Sequence, residues 1–290
     1  MKVFILALDG LEYNLVEKWD LMHLKQVHYG KINMGEQYFG LYEKVPYTPT
    51  VWTSFITGKP PSVHGVRELY RYNSNFLEGI RHKPPFVWIG GLSKILRFFG
   101  IRKRYVTKQD WKRRLNTIFD EVKPSIALFV PAYNPNTQKD RNLQDAMSTG
   151  NLEKIERVIN EAHEWRVHKV LNIIKKTSGK WCLFMACFGL ADWVGHVWIV
   201  KHIKKVKKAY QKLNMLAYNL KRLVPENTIF LIVSDHGMQP SDDGVTGTHS
   251  KHAFWSLNID TNWRPKDITD FYPKIIEWTK AETTKQFQVK

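Results

Sequence analysis

Apolar residues in this chain fall into two kinds of pattern. Val3–Leu8, Ser125–Val130, Trp181–Phe188 and Ile229–Val233 are runs without polar alternation. Such runs read as strands buried on both faces, as in a parallel sheet covered by helices. Leu152–Lys176 instead has apolar residues at 152, 155, 159, 162 and 165, an amphipathic helical spacing, with Gly179 marking the exit. A second long helix is expected from Ile199, with its apolar stripe at 199, 203, 206, 210, 213, 217, 220 and 224, ended by Pro225 and Asn227. A helix around Leu11–Lys18, a short strand over Ala253–Asn258 and a closing helix within Asp267–Lys280 are also expected. Pro273 should start or kink that last helix rather than sit in its middle. The sequence up to about Tyr42 is poorly patterned, and Val51–Thr57 is expected to open a helix behind Thr48-Pro49-Thr50.

Strand and helix thus alternate from residue 125 onward, which predicts an α/β fold with a mostly parallel central sheet and helices on both faces. No repeat or linker divides the 290 residues, so one domain is expected. Residues of about 67–122 mix basic clusters with Phe, Trp and Tyr and read as a small cap or insertion over the active edge.

Composition narrows the function classes. A hydrophobic content of 43% supports a sizeable core, and the formal net charge of +17 favours polyanionic partners such as nucleic acid, nucleotides or anionic lipid. Much of that charge is Lys201, Lys204, Lys205, Lys207, Lys208 and Lys212, on one face of the helix from Ile199; many such faces are merely solvated. No segment approaches the ~20 apolar residues of a membrane helix, and nothing after Met1-Lys2 reads as a signal peptide. A soluble, cytoplasmic protein is expected. Cys182 and Cys187 fall in one apparent strand, on opposite faces, and should be reduced packing residues. Eleven tryptophans are many for this length, and the sequence offers no single account of them.

The chemistry gathers at strand ends. Val3–Leu8 delivers Asp9-Gly10, and Ile229–Val233 delivers Ser234-Asp235-His236-Gly237, with His249 and His252 beyond a loop rich in Asp, Gly and Ser. In open α/β sheets ligands bind beyond the carboxyl ends of the strands. An Asp with several imidazoles suits a borderline divalent metal such as zinc; an Asp cap beside surface histidines is the plainer alternative. After Trp181–Phe188 come Asp192 and His196, whose i, i+4 spacing puts both on one side of a helical turn. Each of these has an ordinary structural explanation alone. Three buried strands each delivering an Asp near one edge do not.

Together, ALDG at 7–10, TPTVWTSFITGKPPSVHGV at 48–66, DWVGH at 192–196, SDHGM at 234–238 and GTHS at 247–250 resemble the alkaline phosphatase superfamily, in its type I phosphodiesterase/nucleotide pyrophosphatase branch. The resemblance implies two divalent metal ions, usually zinc. Asp9, Asp235, His236 and the nucleophile Thr48 would hold one; Asp192, His196 and His249 would hold the other. Thr50 and Thr53 compete with Thr48, which is preferred for its distance to Thr57-Gly58. His252 competes with His249, which the GTHS match favours, and His64 is taken as structural. A threonine hydroxyl is a weak nucleophile at neutral pH, and metal coordination would lower its pKa and aim it. Eukaryotic members of the family carry an Asn after the nucleophile or after the HG turn; neither Thr48–Val51 nor Val66–Leu69 has one. Arg67 is the candidate substitute, since guanidinium suits phosphate oxygens.

The function so implied is hydrolysis of a phosphodiester or pyrophosphate bond in a nucleotide-type substrate. A phosphomonoesterase or phosphomutase with the same metals is the alternative within the superfamily. The absence of a C/S-x-P-x-R signature argues against a sulfatase. From a different class, a basic nucleic-acid-binding protein without turnover would explain the lysine face but not the carboxylates and histidines.

Overall fold

The computed structural model describes residues 1–41, 44–72, 103–111 and 114–281. Its centre is a six-stranded sheet in the order β2-β10-β7-β1-β6-β5. The strands are β1 (Lys2–Leu8), β2 (His28–Asn33), β5 (Ser125–Leu128), β6 (Leu183–Phe188), β7 (Thr228–Val233) and β10 (His252–Leu257). β7, β1, β6 and β5 run parallel, whereas β10 is antiparallel to both β7 and β2. The sheet is therefore mostly parallel, as the alternation predicts. β2 lies in the stretch that shows no pattern, because as an edge strand it is only partly covered. β5 is also an edge strand and half-buried, not the core strand its apolar run suggests.

Alternate residues of the central strands feed two cores. Phe4, Leu6 and Leu8 join Phe184, Phe230 and Phe254 on one face; Val3, Ile5 and Ala7 join Leu183, Met185 and Leu231 on the other. Because β1 is in register with both neighbours, Phe4 stacks between Phe184 and Phe230 at 5.0 and 5.1 Å. Burying each such side chain contributes about 1.5–3 kcal/mol.

The main helices are α1 (Tyr13–Lys18), α2 (Thr48–Thr57), α3 (Gln138–Met147), α4 (Leu152–Thr177), α5 (Leu190–Trp198), α6 (Ile203–Leu223) and α7 (Phe271–Lys280). The first core packs beneath α4 and α6, the second beneath α2 and α7. α4 matches its expected span, with Asn151 accepting from the Lys154 N–H at its start and Ser178 in the left-handed conformation at its end. Pro273 falls in the first turn of α7, where its missing N–H has no helical partner to lose.

The helix expected from Ile199 starts four residues later, at Ile203. α5 ends at Trp198, and α6 begins only at Ile203, so the Asp192–His196 turn takes a direction independent of the long helix. Ile203 itself is exposed, while Val206, Tyr210, Leu213 and Leu220 are buried as the stripe predicts. Both cysteines are free, but Cys182 precedes β6 and packs against the same core as Cys187. The alternating-face reasoning does not reach a residue outside the strand. The tryptophans are largely core: Trp52, Trp181, Trp198, Trp255 and Trp278 are all fully buried. The expected cap falls mainly on residues 73–102, outside the described residues. Its described root is the antiparallel pair β3 (Tyr70–Tyr72) and β4 (Lys103–Tyr105).

Candidate active site

Parallel registry brings the chemical residues to one edge. Leu8 is opposite Phe188, and Ala7 opposite Val233, so Asp9, Gly189 and Ser234 all emerge together. Asp9 N–H donates to the Phe188 carbonyl at 3.0 Å, and Asp192 N–H donates to the Asp9 carbonyl at 3.1 Å. Gly10 permits this junction. Its φ is +72°, and a Cβ there would lie 2.6 Å from the Asp192 Cα.

Thr48 is the first residue of α2, one position ahead of Pro49, so the helix starts earlier than Val51. Its Oγ1 lies 3.1 Å from His236 Nε2 and 3.4 Å from Asp9 Oδ1. The competing hydroxyls are placed otherwise. Thr53 is fully buried and donates to the Pro49 carbonyl at 2.7 Å; Thr50 is fully buried within α2. Only Thr48 of the three meets the Asp–His cluster.

That cluster has two adjoining parts. Asp9, Asp235 and His236 place ligand-type atoms within 4.8 Å of one another, and so do Asp192, His236 and His249. His196 Nε2 is 3.1 Å from Asp192 Oδ1 and 3.1 Å from His249 Nε2. The rings of His236 and His249 stack at 3.6 Å, joining the two parts. All seven residues expected at the site are thus brought together.

Hydrogen bonds set the tautomers. Nδ1 of His196, His249 and His236 faces the carbonyls of Gly247, Pro46 and Gly237 at 3.0, 2.7 and 3.1 Å. A carbonyl only accepts, so each Nδ1 carries a proton, and each Nε2 is left facing the carboxylate cluster. Asp235 Oδ2 is buried with no hydrogen-bond donor directed at it. Imidazole nitrogens and carboxylate oxygens gathered within 3.1–3.5 Å of one another have the spacing of atoms that could share one cation. The donor set is the one expected of a divalent metal site.

The charges tell the same story. Burial, and then the neighbouring Asp235 and Asp192, push Asp9 well above the usual carboxylate range. Burial and Asp192 bring Asp235 up to about 7. Burial also penalises the Asp192 anion, but His196 and His249 outweigh it and hold Asp192 low. His196 in turn rises to about 9, because Asp192 overcomes its burial. Burial lowers His236, helped by His249. Three carboxylates sharing one dry site need positive charge, and protons are the weaker way to supply it.

Two expected candidates stand apart. His252 turns its Nε2 to Glu12 Oε1, 2.6 Å away. Arg67 lies near His64, whose pKa burial, and then Arg67, lower to about 4; Arg67 is not among the residues lining the cavity beside Thr48. His64 is internal: it accepts from Val66 N–H at Nδ1 and meets Ser54 Oγ at 2.9 Å through Nε2.

Sequence reasoning passes over Glu12, which is almost fully buried. Its carboxylate accepts from Asn14 N–H, Ser250 Oγ and His252 Nε2. It also passes over Arg166 and Asp140, paired at 2.5 Å beside the site. An Asp in the first turn of a helix and an Arg within one carry no distinguishing signal.

The comparison with known families agrees with this geometry. The family described as type I phosphodiesterase / nucleotide pyrophosphatase matches residues 3–289. The chain belongs to that family. No curated protein matches. Among solved structures, murine ectonucleotide pyrophosphatase / phosphodiesterase 5 is 16% identical over 84% of this chain and 59% of its own, with a TM-score of 0.47. Phosphonoacetate hydrolase from Sinorhizobium meliloti 1021 is 13% identical over 85% and 59%, TM-score 0.47. Alkaline phosphatase from the Antarctic bacterium TAB5 is 11% identical over 97% and 98%, TM-score 0.49. The chain spans only 59% of the length of the first two.

Proposed function

We propose that this protein is a metal-dependent phosphodiesterase or nucleotide pyrophosphatase with Thr48 as its nucleophile. The observation that carries the reading is the meeting of Thr48 Oγ1 with buried carboxylates and imidazole nitrogens at one sheet edge. Two divalent ions, zinc by the chemistry of the donors, would be held by Asp9, Thr48, Asp235 and His236, and by Asp192, His196 and His249. Bound there, they would acidify the threonine hydroxyl and offset charge on the phosphoryl oxygens.

Thr48 Oγ1 then gives up its proton and bonds to phosphorus, while the ester or anhydride oxygen on the opposite side leaves with its bonding pair and is protonated. Water hydrolyses the phosphothreonyl ester and restores Thr48. The rigidity of the α2 start and the His–carbonyl bonds hold the reacting groups in place through both steps.

Hydrolysis of bis(p-nitrophenyl) phosphate tests the reading. Thr48→Ala is expected to lower kcat by about 10³-fold or more, and full activity in that variant would remove Thr48 from the mechanism. Faster turnover of p-nitrophenyl phosphate than of the diester would favour the phosphomonoesterase or phosphomutase alternative.

A further inference from the structure

The cavity beside Thr48 is of two kinds. Asp9, Thr48, Asp192 and His196 form one side of its roughly 530 Å³. The rest of the lining is mainly apolar, with Phe129, Leu143, Met147 and Trp193 its large apolar members beside Tyr105, Gln144 and the Asp140–Arg166 pair. That volume is more than a phosphoryl group fills.

The wall is held in a costly conformation. Phe129 and Ala132 have φ of +61° and +58°, in the left-handed region that side-chain-bearing residues seldom enter. Asn134 Oδ1 accepts from Val130 N–H at 2.8 Å, and Trp111 Nε1 donates to the Ala132 carbonyl at 3.1 Å, which locks the turn.

Within the lining, the Arg166 guanidinium lies 5.0 Å from the ring centres of both Phe129 and Trp193. Its Nη2 pairs with Asp140, and its Nη1 donates to the Cys187 carbonyl at 3.1 Å. The charge of Arg166 is thus used inside the wall to brace two aromatic rings.

We propose that this wall receives one ester arm of the substrate and that the arm is apolar, an alkyl or aryl group. The inference rests on the phosphodiesterase reading and adds the class of diester to it. An apolar arm gains from leaving water for such a wall in proportion to its length.

The test compares kcat/KM for p-nitrophenyl diesters of methyl phosphate, octyl phosphate and thymidine 5′-phosphate. The octyl ester is expected to exceed the methyl ester by at least about tenfold, chiefly through KM, and to exceed the thymidine ester. Met147→Asn should reduce the octyl-to-methyl ratio. An octyl ester no better than the methyl ester, or a thymidine ester better than the octyl, overturns the proposal.

Calorimetry with Thr48→Ala keeps failure of catalysis separate. Octyl methyl phosphate should bind at least about tenfold tighter than dimethyl phosphate, and equal binding overturns the apolar wall. Tighter octyl binding, with no ester turned over by the unaltered protein, would instead sink the phosphodiesterase reading and keep the wall's preference.

Discussion

Glu12 joins three segments that carry site residues without touching Thr48. It follows Asp9 by three positions, holds Ser250 next to His249, and packs into the notch at Gly237 beside His236. A Cβ on Gly237 would fall 2.1 Å from Glu12 Oε2. One carboxylate therefore fixes the spacing of the β1, β7 and β9 (Gly247–Ser250) ends. Glu12→Gln keeps the shape and removes the charge. It is expected to weaken zinc binding about tenfold and lower kcat with KM little changed, measured by metal titration and steady-state kinetics; unchanged metal affinity would show the clasp to be ordinary packing. At this scale the sequence was readable where a residue has unusual chemistry in an unusual place, as with Asp235-His236. Glu12 and Arg166 were not, because their roles come from partners hundreds or tens of positions away.

Between elements, the clearest energetic device is the Asp140–Arg166 pair, which ties α3 to α4. Burial disfavours the Asp140 anion, but Arg166 and the Thr137 hydrogen bonds outweigh it and hold its pKa below the usual value. The unfolded chain, with Asp near 3.9, therefore binds the proton first. The stability this pair contributes is present above about pH 4 and is lost as pH falls through the lower folded value. Asp140→Asn is expected to cost about 3 kcal/mol near neutral pH, by leaving Arg166 buried without its partner. It should also flatten the pH dependence of urea denaturation below about pH 4. Long elements such as α4 were legible, because one apolar stripe meets one core. The true start of α6 at Ile203 was not, since Ile199 fits the spacing of the stripe but precedes the helix. Nor was β8 (Gly237–Pro240), which pairs with β9 to turn the Asp- and Gly-rich loop into a hairpin that carries His249.

Over the whole molecule, the large positive charge is partly internal traffic. Lys205 pairs with Glu156 at 2.6 Å and Lys212 approaches Glu164 at 3.9 Å, both across to α4, while Lys204, Lys207 and Lys208 remain exposed. If that face meets nucleic acid, Lys204→Glu with Lys207→Glu should cut retention on single-stranded DNA and lower its salt slope by about two, with diester hydrolysis retained; equal retention would show the face to be only solvated. Divalent ions bound to the folded state alone should raise its stability. A chelator is therefore expected to abolish hydrolysis and lower Tm, with zinc restoring both, and an unchanged Tm would argue against a tightly held metal. No helix among the described residues is long and apolar enough to cross a membrane. By itself the sequence determined that Val3–Leu8, Trp181–Phe188 and Ile229–Val233 hold core strands, that Leu152–Lys176 is an amphipathic helix, and which residue types stand at the strand ends, because periodicity and composition are local properties. The tertiary structure alone decided that β10 runs antiparallel and that His252 serves Glu12. Those outcomes depend on strand register and on which side chains meet across the sheet edge, and neither is written in any one stretch of chain.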